Sequence, residues 1–425
     1  MGVGGSVEPK PAPDNGYVFR IAADAKPWTP AAKVRESSSA RCAQSRRRAA
    51  KIGGWSKARY AVMVAISQAG SEREIQRPSF GEENGWIAKE LSIKDACSLN
   101  HFDVGRVVGR GAMGEVSLAR IKKDGTFVAL KVVSKSYVTQ HNHERHVQNE
   151  RRILGGMQHP FVVSLFATFQ DEKHLYFVLE YVPGGELFSK IRGNQCLAVE
   201  PAKFYLAEIF AAVAHVHDRG YAYRDLKPEN VLLDAEGHCR LIDFGFARVP
   251  PTDSGLMLTN VGTPAYMSPE QLSRKKTGGY TRVVDWWAFG CVSFELMTGR
   301  TPFSCKNHDD SHHAIYLRVM RGKVSFPSFV SRQPRDFVRE LLKPDVNKRL
   351  VTTAAIKAHA FFATVDFKAV SQRRAVPPTA VGTLPPGDAS HFDVYHHRRR
   401  DRRDNKDPRA ADGSTTRRCS SFRGF

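Results

Sequence analysis

The sequence predicts an α+β protein of two lobes, a β-rich one followed by a predominantly helical one, and two observations carry that expectation. From Phe102 onward the runs FDVGRVVG, GEVSLARI and FVALKVV alternate with Gly-containing turns, the pattern of an antiparallel sheet. After Glu186 apolar residues recur at helical spacing in PAKFYLAEIFAAVAHVHDRG and VDWWAFGCVSFELMTG, which stop at Gly220 and Gly299 as helices commonly do.

Between these regions the pattern predicts one helix over residues 142–155 and two further strands over 162–169 and 175–181. Residues 1–100 are rich in Gly, Pro, Ser, Arg and Ala with little periodicity, which reads as a mostly flexible basic extension with a short helix near 86–91. Residues 363–425 are Pro- and Arg-rich with too little apolar content to fold alone, so any order there must come from lying across the lobes.

The chain has 425 residues, 41% of them hydrophobic and 10% aromatic, enough for a large buried core. Its formal charge of +21 invites acidic partners, nucleic acid or anionic lipid among them. The basic runs Arg46-Arg47-Arg48 and Arg398-Arg399-Arg400 lie near the ends, where solvated tails are the usual explanation, and no nucleic-acid fold signature accompanies them, so no nucleic-acid partner is expected. Seven scattered cysteines never form C-x-x-C, which points to neither a disulfide framework nor a zinc site and fits a reducing cytoplasmic compartment. The longest apolar stretch near the N-terminus, around 61–66, is far shorter than the ~20 residues needed to span a bilayer.

Gly109-Arg110-Gly111-Ala112-Met113-Gly114 is a G-x-G-x-x-G between two strand-like runs. Glycines allow backbone N–H groups to approach phosphate oxygens closely. A dinucleotide-binding turn needs a helix directly after it, and GEVSLARI has strand character, so that alternative fails; a plain Gly-rich hairpin does not. Val128-Ala129-Leu130-Lys131 then puts an ammonium on the third strand, where it can hold phosphates while pairing with a carboxylate, and Glu150 in QNERRIL is the natural partner. Either residue alone is more often a solvated surface charge. Tyr223-Arg224-Asp225-Leu226-Lys227-Pro228-Glu229-Asn230, followed by Asp243-Phe244-Gly245, adds two carboxylates and an amide. That set meets the needs of phosphoryl transfer: one carboxylate to orient the attacking hydroxyl, the other with Asn230 to hold Mg²⁺, and Lys227 to neutralise the phosphate in flight.

With these four motifs in order, residues 102–362 resemble a eukaryotic protein kinase domain; YRDLKPEN, DFGFAR, GTPAYMSPE and VDWWAFGC are similar to the AGC group in particular. In the tail, Ala363-Thr364-Val365-Asp366-Phe367, the stretch from Pro386 to Ser390, Phe392-Asp393-Val394-Tyr395 and the final Phe422-Arg423-Gly424-Phe425 resemble the C-tail of the cAMP-dependent kinase catalytic subunits. The resemblance covers about three quarters of the chain. It implies a bilobal kinase fold with an N-lobe over 101–180, a hinge over 180–186, a C-lobe over 187–362 and an AGC-type tail over 363–425.

It also implies ATP and Mg²⁺ as nucleotide and metal. Asp225 would be the catalytic carboxylate with Lys227 beside it, Asn230 and Asp243 the metal ligands, and Lys131 and Glu150 the activating ion pair. Val108, Gly109, Arg110, Gly111, Ala112, Met113, Gly114, Glu115, Val116, Ala129 and Leu232 would surround the nucleotide, Glu180 and Val182 would offer hinge backbone to adenine, Glu229 would border the site, and Phe392 would reach it from the tail. Glu270 and Arg349 would form a buried structural pair.

For regulation, Thr259 stands eleven residues before Glu270, where this group carries an activating phosphothreonine that His146, Arg224 and Arg248 would clamp. Glu186, Glu229 and Glu295 match acidic positions that bind substrate arginines, which implies R-R-x-S/T substrates. Arg417-Arg418-Cys419-Ser420 repeats that motif in the tail and marks Ser420 for autophosphorylation. Met1-Gly2-Val3-Gly4-Gly5-Ser6 matches the N-myristoylation pattern at Gly2, and with the Arg-rich segment near Arg46 it suggests peripheral membrane contact. The resemblance extends to a cAMP-binding regulatory subunit as partner, although Leu258 and Asn260 stand where the family carries a bulky Trp and an apolar residue. Alternatives are an AGC kinase not controlled by cAMP, a catalytically silent scaffold of the same fold, and a nucleic-acid or anionic-membrane role for the basic ends. The complete set of Lys131, Glu150, Asp225, Asn230 and Asp243 argues against the scaffold.

Overall fold

The computed structural model describes residues 98–111, 113–189, 196–251, 255–259, 261–304, 311–378 and 386–392, together with 422 and 425. Ala112, Asn260, Gly2 and Ser420 lie outside the described residues, as do the basic runs near both ends.

The N-terminal lobe is a five-stranded antiparallel sheet of β1 (Phe102–Gly111), β2 (Gly114–Ile121), β3 (Phe127–Ser134), β4 (Leu165–Gln170) and β5 (His174–Glu180), in the order β1-β2-β3-β5-β4. Side chains alternate across a strand, so Val128 and Leu130 of β3 enter a core with Phe102, Ala119, Ile121, Tyr176 and Val178, while Ala129 and Lys131 project from the opposite face. Two helices follow β3, α1 (Lys135–Gln140) and α2 (Glu144–Gly155). On α2, Val147, Glu150, Ile153 and Leu154 are buried together, and that three- and four-residue spacing is what turns a carboxylate into the protein.

The helical lobe is organised by α3 (Val199–Asp218) and, beyond the hairpin β6 (Val231–Leu233) and β7 (Cys239–Leu241) and the short helices α4 (Pro269–Leu272) and α5 (Arg274–Thr277), by α6 (Val284–Thr298). α6 is buried on all sides, with Trp286, Trp287, Phe289 and Phe294 essentially inaccessible, as expected of a central core helix. Gly220 and Gly299 take φ of 81° and 71°, left-handed values that favour glycine at a helix end. The helices α7 (His312–Arg321), α8 (Arg332–Leu341), α9 (Thr353–Ala358) and α10 (Phe367–Ser371) complete the lobe.

Three local differences from the sequence pattern have physical causes. The fourth strand begins at Leu165 rather than 162, because Val162 bridges Leu241 and the Val163 N–H donates to the Leu241 carbonyl at 3.0 Å, which ties this stretch to the other lobe. The helix expected from 142 begins at Glu144, since Asn142 takes φ 54°. The β6–β7 hairpin and α1 were not anticipated: strands of three residues and a helix of six are too short to show a period.

Candidate active site

Cross-strand register gathers one face of the N-terminal sheet. Val116 lies opposite Lys131, Leu118 opposite Ala129, and on the far side of β3 Leu179 and Phe177 lie opposite Ala129 and Lys131, so these residues share one face of the sheet. Gly114 must be glycine for packing, because a Cβ there would fall 1.8 Å from the Val132 carbonyl oxygen. Gly109 and Gly111 differ: a Cβ would meet nothing nearer than 3.7 Å and 3.9 Å, so packing within the chain does not demand their small size. Arg110 and Glu115 pair with each other at 3.0 Å on the exposed side.

Lys131 Nζ lies 2.6 Å from Glu150 Oε1 and 4.0 Å from Asp243 Oδ1. Burial pushes the ammonium toward its neutral form, but the two carboxylates outweigh it and raise its pKa above the usual lysine value. Lys131 therefore stays cationic. Glu150 Oε2 is buried without a hydrogen-bond partner, a free acceptor beside Asp243 and Gly245.

The segments carrying Asp225 and Asp243 are held in a strained backbone. Arg224 and Asp243 take φ of 72° and 55°, unusual for residues with a Cβ and tolerated only where surroundings enforce them. Fully buried Asp285, at the start of α6, enforces the first by accepting hydrogen bonds from the Tyr223 N–H at 2.8 Å, the Arg224 N–H at 2.7 Å and His217 Nε2 at 2.7 Å. Asp225 is buried, and its carboxylate accepts from Lys227 Nζ at 2.9 Å, Thr263 Oγ1 at 2.9 Å and Asn230 Nδ2 at 3.0 Å. Asn230 spends its amide N–H groups on Asp225, which leaves its carbonyl oxygen for a cation. Asp243 is half-exposed and receives the Gly245 N–H at 3.2 Å. The donors offered by Asn230 and Asp243 are all oxygen, the set a hard, hexacoordinate cation such as Mg²⁺ takes.

Thr259 is reached by Arg224 Nη1 at 2.6 Å, and the Tyr280 hydroxyl bonds both its carbonyl, at 2.8 Å, and Arg224 Nη1, at 3.1 Å. His146 sits near enough to be affected: burial first, then His143, Arg224 and Arg248, hold its pKa below the ordinary imidazole value. Glu229 and Glu295 are also neighbours. Glu295 is 4% exposed and accepts the Tyr266 hydroxyl at 2.6 Å; burial pushes its pKa up to about 7, against the Tyr266 hydrogen bond and with help from the Glu229 charge. Glu229 Oε2 is buried without a partner. Glu186 lies at the far end of the hinge, its backbone bridged to Leu232.

The tail meets the N-lobe in two places. The Tyr181 hydroxyl donates to the Asp388 carbonyl, Arg106 Nη2 donates to the Phe392 carbonyl at 2.9 Å, and Phe392 packs with Tyr181, Val108 and Val116. Phe422 enters the N-lobe core with Val138, Val147 and Phe177, Gln170 Nε2 donates to its carbonyl at 2.9 Å, and Phe425 meets Phe177 edge-on at 5.1 Å. Arg349 grips Glu270 through two bonds of 2.7 and 2.9 Å.

Sequence reasoning missed Thr263 and Asp285. A carboxylate alone among the apolar residues of VDWWAFGC is itself a signal, since such a group must be satisfied where it is buried. Thr263 gave no comparable signal.

Residues 102–362 match the protein kinase domain family. The chain is 41% identical over 302 residues to the human cAMP-dependent protein kinase catalytic subunit PRKX, covering 70% of this chain and 82% of that one. It is 38% identical to the cAMP-dependent protein kinase catalytic subunit of Dictyostelium discoideum, of which it spans 45%, and 39% identical to that organism's RAC family serine/threonine-protein kinase homolog, of which it spans 67%. These shares are 70% and 72% of the present chain. The chain belongs to the protein kinase family, as a serine/threonine kinase of the AGC type.

Proposed function

We propose that this chain transfers the γ-phosphoryl group of ATP to a serine or threonine hydroxyl preceded by arginines, R-R-x-S/T, in protein substrates. One observation carries the reading: Asp225, Lys227, Asn230 and Thr263 form one hydrogen-bonded unit, while Lys131 is hydrogen-bonded to Glu150 and lies in an ion pair of 4.0 Å with Asp243. Asp225 would orient the substrate hydroxyl and accept its proton; Lys227 would stabilise charge on the transferring group. Lys131, held by Glu150, would bind the nucleotide phosphates under the backbone of the glycine loop. Asn230 and Asp243 would hold Mg²⁺, which when bound screens the charge of the phosphate oxygens.

Glu186, Glu229 and Glu295 would take the substrate arginines, a reading supported by the unpartnered Glu229 Oε2 and by the absence of a cation beside Glu295 among its described contacts. An oriented peptide library presented to Thr259-phosphorylated protein tests it. Strong selection for upstream arginine is expected, and indifference at those positions would remove the specificity claim.

In this reading the chain is a catalytic subunit controlled by a cAMP-binding regulatory partner, by likeness to PRKX and to the Dictyostelium catalytic subunit. A cytoplasmic location with peripheral membrane contact through acylated Gly2, and autophosphorylation at Ser420, are supported by the sequence patterns alone. The second reading, an AGC kinase independent of cAMP, is favoured by Leu258, which is 64% exposed where the family carries a Trp, and by 39% identity to the RAC homolog. A pull-down from extract, with and without cAMP, separates the two readings.

A further inference from the structure

Glu180, the last residue of β5, opens the hinge, and its carboxylate is spoken for on both oxygens. Oε1 accepts from Arg240 Nε of β7 at 3.0 Å, and Oε2 accepts from the Ser164 N–H at 3.2 Å. Arg240 is 6% exposed and spreads its guanidinium across three groups, reaching the Pro160 carbonyl through Nη1 and Asp234 Oδ2 through Nη2 at 3.4 Å. Asp234 in turn takes Arg373 Nη2 at 2.7 Å, and the same nitrogen lies 2.5 Å from Glu236. Arg373 follows α10 at φ 54°, a left-handed conformation that its ion pairs hold in place. Charges therefore alternate from Glu180 to Arg240, Asp234, Arg373 and Glu236, linking the hinge, the β6–β7 hairpin and the start of the tail.

The far side of the hinge is tied to the same hairpin. The Gly184 N–H donates to the Leu233 carbonyl at 2.8 Å, and the Leu233 N–H donates to the Gly185 carbonyl at 2.9 Å. Val182 thus stands between two anchors on one hairpin, a side-chain ion pair before it and a backbone pair after it. The tail that leaves at Arg373 returns over the hinge through Asp388 and Phe392. Adenine recognition by hinge backbone depends on the spacing of N–H and C=O groups, and errors of a fraction of an ångström matter there.

We propose that Arg240 is a positioning residue for the nucleotide, fixing the hinge through Glu180 and connecting it through Asp234 to Arg373 at the base of the tail. The inference rests on the reading of 180–182 as the adenine-binding segment. A planar guanidinium with several fixed donors suits this role and an ammonium does not, so lysine is a poor substitute.

The test uses the full-length, Thr259-phosphorylated chain, with binding of Mg²⁺ and a fluorescent ATP analogue measured beside steady-state kinetics. Arg240→Gln is expected to weaken nucleotide binding and raise the KM for ATP about tenfold, with kcat at saturating ATP and the KM for peptide within about twofold of wild type. Arg240→Lys should fall between the two, and Arg373→Gln should shift nucleotide affinity in the same direction by about threefold. A merely structural residue would lower thermal stability and the active fraction while leaving the nucleotide KM of the folded protein unchanged; that result overturns the proposal. Should Arg240→Gln fail to fold, Glu180→Gln/Arg240→Gln removes both charges of the strut, and unchanged nucleotide affinity in that variant overturns it equally. Wild-type protein that bound no nucleotide would instead refute the hinge reading, and the inference with it.

Discussion

Arg224 donates to the Thr259 hydroxyl at 2.6 Å from a backbone held at φ 72° by Asp285, so the residue beside Asp225 is also bonded to Thr259. A phosphate on Thr259 adds about −1.5 to −2 charges where Arg224 already points, and charge-assisted bonds to a guanidinium are the strong kind. Thr259→Ala is expected to lower kcat/KM for a peptide substrate by at least about tenfold, with Thr259→Glu recovering part of it. Full activity in Thr259→Ala, measured beside mass-spectrometric proof that wild type is phosphorylated there, would refute the clamp.

In the proposed arginine site, Glu295 carries a pH dependence with a definite sign. Its carboxyl, raised by burial to about 7, is mostly ionised at pH 8 and mostly neutral at pH 6, and only the ionised form attracts arginine. The kcat/KM for an arginine-led peptide should therefore fall about tenfold from pH 8 to pH 6. Glu295→Gln should be slower throughout and lack this titration. An unchanged profile in the variant assigns the ionisation elsewhere.

Arg349 and Glu270 test the helical lobe. Arg349 is also stacked over Trp287 at 4.9 Å, so its removal strands a buried carboxylate and uncovers a core aromatic. Arg349→Met should cost about 3–5 kcal/mol in urea unfolding, and Glu270→Gln/Arg349→Met distinctly less. Equal losses would mean that packing, rather than the stranded charge, dominates.

His159 and His215 stack at 4.7 Å, and burial, with nearby cations adding to it, lowers their pKa values to about 3 and about 4. Both are neutral in the folded protein, while an unfolded imidazole takes up a proton below about pH 6.5. Stability is thus complete above that pH and declines as the pH falls from it, by about 2 kcal/mol per imidazole at pH 5. Replacing His215 with Phe should flatten part of this acid limb in urea midpoints measured from pH 8 to 5; an identical limb would assign it to other groups.

The fold was legible where a period had room to repeat, in β1 to β3, α3 and α6, and the end glycines Gly220 and Gly299 marked their stops. The candidate site was legible because Lys131, Glu150, Asp225, Asn230 and Asp243 each sit in a motif of fixed spacing, and the structure joins Asn230 to Asp225 by a hydrogen bond and Lys131 to Glu150 and Asp243 by ion pairs. What escaped were links with no local pattern. Asp285 lies about 60 residues from the backbone amides it holds, and Arg240 the same distance from Glu180. Such pairings are decided by packing of the lobes, and nothing near either residue in the chain encodes them.

The central claim is that Asp225 faces a hydroxyl at the end of a nucleotide held by Lys131, Asn230 and Asp243. It is tested most directly by following transfer of labelled γ-phosphate from ATP to an R-R-x-S peptide with full-length, Thr259-phosphorylated protein and its Asp225→Asn variant. Rapid labelling by wild type and a loss of at least about a hundredfold in the variant, with ATP still bound, is the expected result. Equal labelling by both proteins, or none by wild type, would contradict it.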